Sequence, residues 1–264
     1  MIIAYSLLYL LAGIIGGLIV GFIGTGSSIV ILPMLNIIFF TIFPKAIAIK
    51  LAIGTCMMTI AIGAIVGAII YKKLGLINKS IFYVALPFCF MGSIIGPVIS
   101  NFLSANILPI YIGSFILLTA VYKLIKSFLH DQEIKETLSW AIIICTVFIA
   151  ATLSSIAGVA IGIILMPVLD RYLPHREVVA TNLAIAACYA PFAAITYLIL
   201  GILNPVNIHY TLGYVYLPAL IFLSIGTLIF TPIGIKISYK LSAPIIKRIF
   251  YLALIMMGLV ILTH

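Results

Sequence analysis

Long apolar stretches, interrupted by short polar or proline-containing breaks, run through almost the whole chain. They are typical of helices that cross a bilayer, because a spanning helix needs about 20 apolar residues. Glycine, proline or asparagine marks the breaks between them. The pattern predicts helical segments at 4–23, 27–42, 46–71, 80–100, 107–129, 138–155, 160–172, 177–200, 211–237 and 244–263. It therefore predicts an all-α polytopic membrane protein.

Composition agrees with this class of protein. Of the 264 residues, 65% are hydrophobic and 7% are charged, whereas soluble domains carry about a quarter charged residues. The formal net charge of +9 would suggest nucleic-acid binding in a soluble protein. In this chain we attribute it to loop lysines that set membrane topology, and we expect no nucleic-acid partner.

An uncharged, glycine-rich interruption lies between the first two segments. This first break is residues 24–28, with the sequence Gly24-Thr25-Gly26-Ser27-Ser28, and Pro33 follows it. Glycine permits left-handed φ values and close backbone approach, so the stretch predicts a break between two helical arms. Backbone groups that such a break frees cannot face lipid, so they must be buried in protein or line a wet cavity.

The same pattern returns 134 residues later in a second break, residues 158–162. It is preceded by Ser154 and Ser155 and followed by Pro167. The alignment pairs Gly158 with Gly24, Ala160 with Gly26, Gly162 with Ser28, and Pro167 with Pro33. Matched interruptions in two halves of a membrane protein indicate a transporter's binding site.

Other landmarks repeat in the same order, which predicts internal duplication. Residues 48–56 align with residues 180–188, and the offset drifts through short insertions. We therefore divide the chain into a first transmembrane repeat (1–129), a cytoplasmic link (130–137) and a second transmembrane repeat (138–264). Five segments per repeat is an odd number, so the second repeat is expected to be inverted relative to the first.

The basic residues predict the orientation. With this segment count, all of the 14 lysines and arginines except Lys45 and Lys50 fall on one side of the membrane. The positive-inside rule makes that side cytoplasmic and places both termini outside. The glycine breaks either cross fully or re-enter as hairpins. Re-entrant hairpins would leave every other loop on the same side of the membrane. The tips of the two hairpins would then meet near the midplane.

The breaks have the chemistry of an anion site. The free N–H groups at the start of a helix favour an anion, and the threonine and serine hydroxyls add donors. The alternative is that the small residues only pack helices tightly. Our candidate substrate-binding residues are Gly24, Thr25, Gly26, Ser27, Ser28, Pro33, Lys50, Ser154, Ser155, Gly158, Ala160, Gly162, Pro167, Thr181 and Asn182.

Residue types that are missing from the segments narrow the function further. Three of the five acidic residues lie in the central link, and Asp170 and Glu177 flank a cytoplasmic loop. No carboxylate is expected at membrane depth, so a carboxylate relay of the kind found in many cation transporters and pumps is not expected. The sequence shows no metal-ligand spacing and no set of nucleophile and base. We therefore expect no metal, no cofactor and no catalytic residue, and the protein is not expected to be an enzyme.

The two glycine–proline segments resemble the signature of the TauE/SafE family of sulfite exporter permeases, G-x-x-G-x-G-G-G followed by P-x-L. The first half supplies Gly21, Gly24, Gly26, Pro33 and Leu35; the second supplies Gly158, Gly162, Pro167 and Leu169, and then Ala180, Thr181 and Asn182. Lys50 and Asn182 stand where the family pattern has serine. The resemblance covers essentially the whole chain. It implies transport of sulfite or organosulfonate-type anions across the cytoplasmic (inner) membrane.

The leading hypothesis is a secondary transporter for a small anion, which binds between the two breaks with alternating access. Its partners would be the anionic substrate, the lipid bilayer and a coupling ion if there is one, either a proton or sodium. The alternatives are a passive anion channel on the same architecture and, with less support, an intramembrane enzyme. No oligomeric state is predicted.

Overall fold

The computed structural model describes residues 2–104, 107–128, 138–205 and 208–238, together with Leu252, Ile255 and Leu259. These residues form helices and one short hairpin. The elements are α1 (Ile2–Ile23), α2 (Ser28–Ile42), α3 (Lys45–Lys73), α4 (Lys79–Phe102), α5 (Ile107–Phe128), α6 (Trp140–Ala157), α7 (Gly162–Leu169), α8 (His175–Leu203), β1 (Thr211–Leu212), β2 (Val215–Tyr216) and α9 (Leu217–Ser238).

The prediction of an all-α polytopic membrane protein is confirmed. Within the described residues, 6 helices are long and apolar enough to cross a membrane. Eight of the nine predicted segments that fall in the described part begin and end within a few residues of a helix. The predicted link 130–137 and nearly all of the predicted segment 244–263 lie outside the described residues.

One predicted segment, 211–237, is wrong at its start. Residues 211–216 form an antiparallel hairpin in which Leu212 pairs with Val215, and the helix begins only at Leu217. Gly213 has φ +56°, and a two-residue hairpin loop favours glycine at such a position. The apolar run continues through the hairpin into the helix, so hydrophobicity alone does not separate strand from helix here.

Helix packing follows a pairwise exchange between the two halves. The first helix of each half packs along the fourth helix of the other half, α1 on α9 and α6 on α4. The third helices, α3 and α8, pack on each other. Duplication about a two-fold axis predicts this pattern. Exchanging the two halves converts the α1–α9 pair into the α6–α4 pair and leaves the α3–α8 pair unchanged. Inversion of the second half across the membrane remains a prediction.

Glycines make the contact between α1 and α9 very close. A Cβ atom added to Gly13 would lie 2.9 Å from the Cα of Leu223, and one added to Gly17 would lie 2.9 Å from the Cα of Thr227. At Gly21 the nearest atoms also belong to the backbone of α9. These three glycines allow the two helices to pack closely, as small residues do in membrane proteins. For Gly13, Gly17 and Gly21 the structure therefore supports the alternative that small residues only pack helices tightly.

Candidate functional site

The first break is built on two left-handed glycines. α1 ends at Ile23 and α2 begins at Ser28. Between them Gly24 has φ +80° and Gly26 has φ +96°, values that L side chains rarely adopt. A Cβ at Gly24 would also lie 2.5 Å from Val179 Cγ1 on α8. Both the turn and its contact with the second half therefore require glycine at position 24.

The second break has one left-handed glycine, at the position that aligns with Gly24. α6 ends at Ala157, Gly158 follows with φ +72°, and α7 begins at Gly162. A Cβ at Gly158 would lie 2.8 Å from Ile53 Cγ2 on α3. Each break thus has a left-handed glycine that packs against the third helix of the other half.

The backbone hydrogen bonds also repeat at the offset of 134 residues. Ile29 N–H donates to Gly26 O at 3.1 Å, and the residue that aligns with Ile29 donates to Ala160 O at 3.2 Å. Ser27 and Ile161 hold the same position before their helices, with φ −55° and −53°. The hydrogen bonds and φ values at the starts of α2 and α7 thus agree with the predicted correspondence, and the duplication of the whole halves stays a prediction.

The helices that follow the breaks are short. α7 has 8 residues and α2 has 15, which correspond to about 12 Å and about 22 Å of helix. The hydrocarbon core is ~30 Å thick, so neither helix can cross it alone. Pro33 and Pro167 each occupy the sixth position of their helix. A proline there cannot donate to the carbonyl four residues earlier.

The two breaks touch one another. Ala160 N–H donates a hydrogen bond to Ser28 Oγ at 3.3 Å, and both groups are buried. Gly162 lies against Thr25, so a Cβ at Gly162 would be 2.7 Å from Thr25 Oγ1. Contact between the two tips, which the sequence predicts, is therefore observed.

Asn182 on α8 joins the same cluster. Its Nδ2 donates to the carbonyl oxygen of Gly24 at 2.8 Å, and its side-chain amide also packs against Gly162. Asn182 is fully buried. We call Thr25, Ser27, Ser28, Gly162 and Asn182 the tip cluster.

Several polar atoms in and beside the tip cluster are buried without partners. Among the residues that the structure describes, nothing forms a hydrogen bond with Thr25 Oγ1, Ser27 Oγ, Ser154 Oγ or Asn182 Oδ1. All four residues are at most 2% exposed. Leaving such a group unsatisfied costs about 1–3 kcal/mol, so this concentration of orphaned groups favours a bound polar ligand or water.

Tyrosine side chains that the sequence analysis did not select support the second break. Tyr111 donates to Leu153 O at 3.1 Å, Tyr197 to Ser155 O at 2.9 Å, and Tyr189 to Val159 O at 3.2 Å. They bind backbone carbonyls in the last turn of α6 and in the break that follows it. A tyrosine in the middle of an apolar helix needs a hydrogen-bond partner, and that signal could have identified them.

Two predicted site residues face other parts of the molecule. Ser155 donates to Gly92 O at 3.2 Å and packs against α4, so its hydroxyl serves the contact between α4 and α6. Thr181 Oγ1 accepts a hydrogen bond from Asn78 N–H at 3.0 Å. Its hydroxyl therefore binds the loop before α4 and is already occupied.

Lys50 also makes its contacts outside the tip cluster. Its Nζ donates to the Oδ1 and the backbone oxygen of Asn101, at 2.9 and 3.2 Å, and lies 5.4 Å from the centre of the Tyr214 ring. No carboxylate in the described part of the chain pairs with it. Burial raises the pKa of Tyr214, so this phenol stays neutral and does not compensate the lysine charge.

Metal binding finds no support in the described residues, which contain no group of three His, Cys, Asp or Glu side chains close enough to hold an ion. The fold and site instead define a class, the polytopic membrane proteins with paired broken helices that meet inside the helix bundle. The sequence model of the sulfite exporter TauE/SafE family matches residues 9–261. The chain belongs to this family.

Curated relatives agree with the family. A "probable membrane transporter protein" of Methanocaldococcus jannaschii is 26% identical over 261 residues, which cover 97% of this chain and 94% of that protein. One of Haemophilus influenzae is 24% identical, with 97% of each chain covered. A third, YdhB of Bacillus subtilis, is 25% identical and covers 93% of this chain and 96% of its own length. The protein is thus a multi-pass membrane transporter and not an enzyme. No solved structure matches the chain.

Proposed function

We propose that the protein is a secondary transporter for small anions, of the sulfite or organosulfonate type, which bind at the tip cluster. The concentration of orphaned buried groups there, Thr25 Oγ1 and Ser27 Oγ above all, carries the proposal. The family description, sulfite exporter, supports the sulfur chemistry.

The electrostatics of the tip cluster suit an anion. The first turn of α2 directs backbone N–H groups towards the break, and a helix N-terminus favours negative charge. Thr25 and Ser27 add hydroxyl donors in the same place. The residues of both breaks, 24–28 and 158–162, include no acidic side chain, so no carboxylate there would repel an anion.

Alternating access is supported by two matched hydrogen bonds between the halves, which we call closures. Asn78 N–H, just before α4, donates to Thr181 Oγ1 at 3.0 Å. Tyr216 N–H, just before α9, donates to Thr55 Oγ1 at 2.9 Å. Each bond joins the start of the fourth helix of one repeat to the third helix of the other repeat. Breaking one closure at a time would open the tip cluster to one side and then to the other.

The two closures lie at different depths along their helices. Thr55 is the eleventh residue of α3, whereas Thr181 is the seventh residue of α8. The difference of four residues is about one helical turn, or about 6 Å. The hairpin before α9 reaches this far because its backbone packs on Gly54 and Gly201, where a Cβ atom would meet it.

We extend the proposal to topology. The repeats 1–129 and 138–264 would be inverted in the cytoplasmic membrane, with both termini outside. Lys50 and the hairpin then lie at the outer entrance. The ammonium group of Lys50, which has no carboxylate partner in the described part of the chain, would attract anions towards the site. A proton or sodium ion remains a candidate coupling ion.

A thermal-stability panel tests the function. The purified protein would be heated in detergent with sulfite, sulfate, thiosulfate, sulfoacetate, phosphate, acetate or chloride. A ligand that binds only the folded state stabilises it by ~2.7 kcal/mol at a hundredfold excess over its Kd. We expect a selective shift with sulfur oxyanions, and a shift with carboxylates alone would overturn the assignment to sulfur. Flux into proteoliposomes follows: saturable flux that counter-substrate stimulates indicates a carrier, and non-saturable flux indicates a channel.

A further inference from the structure

We propose that Asn182 makes the tip cluster select oxoanions that carry a proton, such as a singly protonated monoanion, over fully deprotonated anions of the same shape and charge. The inference rests on the proposed anion site and narrows its substrate class to anions of the hydrogensulfite type, because a sulfonate group carries no proton at neutral pH. It follows from the orientation of one buried amide.

The hydrogen bond to Gly24 determines that orientation. The carbonyl oxygen of Gly24 can only accept, so the atom of Asn182 that faces it at 2.8 Å must be Nδ2, the donor. The amide is planar, and Oδ1 therefore points away from Gly24. Oδ1 is buried and meets no donor among the described residues. Asn182 thus presents an acceptor that nothing in the described part of the chain satisfies.

The remaining polar groups of the tip cluster are donors or can become donors. The hydroxyls of Thr25 and Ser27 rotate, so each can donate to a ligand oxygen. The N–H groups of the second, third and fourth residues of α2 already donate to carbonyls of the break, so they contribute only the positive end of the helix dipole. Asn182 Oδ1 is different because it can only accept. A ligand that satisfies the whole cluster must combine oxygens that accept with one hydroxyl that donates.

A singly protonated oxoanion has that combination. Its unprotonated oxygens accept from the break, and its hydroxyl donates to Asn182 Oδ1. A fully deprotonated anion would place a lone pair against Oδ1, leaving a buried acceptor unsatisfied and adding repulsion. A site that is built to hydrogen-bond a substrate hydroxyl discriminates strongly against an analogue that lacks it.

The arrangement has a consequence for coupling. A substrate that is protonated in water before it binds and deprotonated after release carries its own proton across. Neither break contains a carboxylate that could relay one. No bond to the protein is made or broken in this cycle, because protonation takes place in the aqueous phase on either side.

Two probes of matched shape and charge test the proposal on the unmodified protein. Singly protonated methylphosphonate and methanesulfonate are both tetrahedral monoanions, and only the first has a hydroxyl proton. From their effects on melting temperature, we expect the first to bind about tenfold more tightly or better. Its binding should decline as pH rises through its second pKa, while that of methanesulfonate stays constant. Equal affinities, or methylphosphonate binding that strengthens as the proton is lost, would overturn the inference.

A variant assigns the effect to Asn182. In Asn182→Ser the hydroxyl can donate as well as accept, so the preference for methylphosphonate should disappear. Asn36→Ser is the matched control, since Asn36 is a buried asparagine of α2 outside the tip cluster, and it should keep the preference. An unchanged preference in Asn182→Ser would show that other residues cause the selectivity, which would overturn the role inferred for Asn182. If no anion in either panel binds, both this inference and the proposed function fail; binding without discrimination overturns the inference alone.

Discussion

The hydroxyl of Ser28 accepts a hydrogen bond from the backbone N–H of Ala160 at 3.3 Å, across 132 residues of sequence. This bond directly connects the two breaks. It gives a partner to a buried backbone N–H group of the second break, which lies outside the helices. The two halves therefore depend on each other for the polar groups of their breaks, and neither half is complete alone.

Removing this acceptor should destabilise the protein. Ser28→Ala leaves the buried Ala160 N–H without a partner, and we expect a loss of about 1–3 kcal/mol in the free energy of unfolding. Ser93→Ala is the matched control, because the fully buried Ser93 hydroxyl bonds only to Phe90 O within its own helix. Melting temperatures in detergent measure both. Equal shifts would show that the bond between the breaks contributes nothing specific.

The left-handed glycines should not tolerate a side chain. Gly75 has φ +71° with nothing within 4 Å of an added Cβ, so Gly75→Ala isolates the backbone cost of about 1–2 kcal/mol. Gly24→Ala and Gly158→Ala add contacts with Val179 and Ile53, and we expect both to cost more. Gly24→Leu and Gly158→Leu should also abolish uptake into proteoliposomes. Normal transport by a folded leucine variant would contradict binding at the tips.

Substitution of the glycines of α1 should lower the stability of the protein and leave its affinity for substrate unchanged. In Gly21→Ala the new methyl group would lie 2.7 Å from the backbone nitrogen of Ile235, which forces α1 and α9 apart. Gly63→Ala is the control, because its nearest neighbours would be 3.8 Å away. We expect a lower melting temperature or loss of folded protein for the first variant and little change for the second. A changed Kd at unchanged stability would place Gly21 in the binding site.

The closure at Thr55 should control access from the side of the hairpin. Thr55→Val keeps the shape but removes the acceptor for Tyr216 N–H, which favours an opening on that side. Cys56, the next residue, is fully buried and serves as a reporter once the other cysteines are replaced by alanine. We expect a membrane-impermeant maleimide added on that side to label it faster in Thr55→Val. Equal acceleration in Thr181→Val would contradict two separate closures.

Lys50 should act through its charge at the entrance. Lys50→Gln removes the positive charge and keeps a group that can donate to Asn101. We expect a higher KM for anion uptake and a weaker dependence of uptake on ionic strength, since salt screens attraction of this kind. Lys45→Gln, at an exposed position, is the control. A KM that is unchanged in Lys50→Gln would leave the lysine with a structural role only.

Most of the fold could be predicted because its signals are local. Apolar length determines which segments can cross a bilayer, and glycine marks where they break, as Gly24 and Gly158 show. The hairpin at 211–216 could not be predicted in this way. Its residues join the apolar run of α9 without a break, and the extended conformation depends on docking against Gly54 of α3 and Gly201 of α8.

For the site, too, some contacts could be predicted from local signals and others could not. Ser28, Thr25 and Asn182 could be selected as polar residues at matched positions, and they do converge. Ser155 and Thr181 lie in the same motifs, but their hydroxyls bind Gly92 O and Asn78 N–H because their helices turn them towards α4 and its preceding loop. Residue type and spacing identify a candidate site residue, but the rotation of its helix determines which groups its side chain contacts.

The sequence by itself determined that this protein spans the membrane, that its halves match and that both contain a glycine break, because these properties depend on composition and chain order. Only the tertiary structure decided that Gly21 packs against the backbone of α9 and Gly24 against Val179, because both neighbours are distant in sequence. It also decided that Asn182 turns its amide oxygen away from Gly24. That orientation depends on a hydrogen bond across 158 residues, which no local pattern encodes.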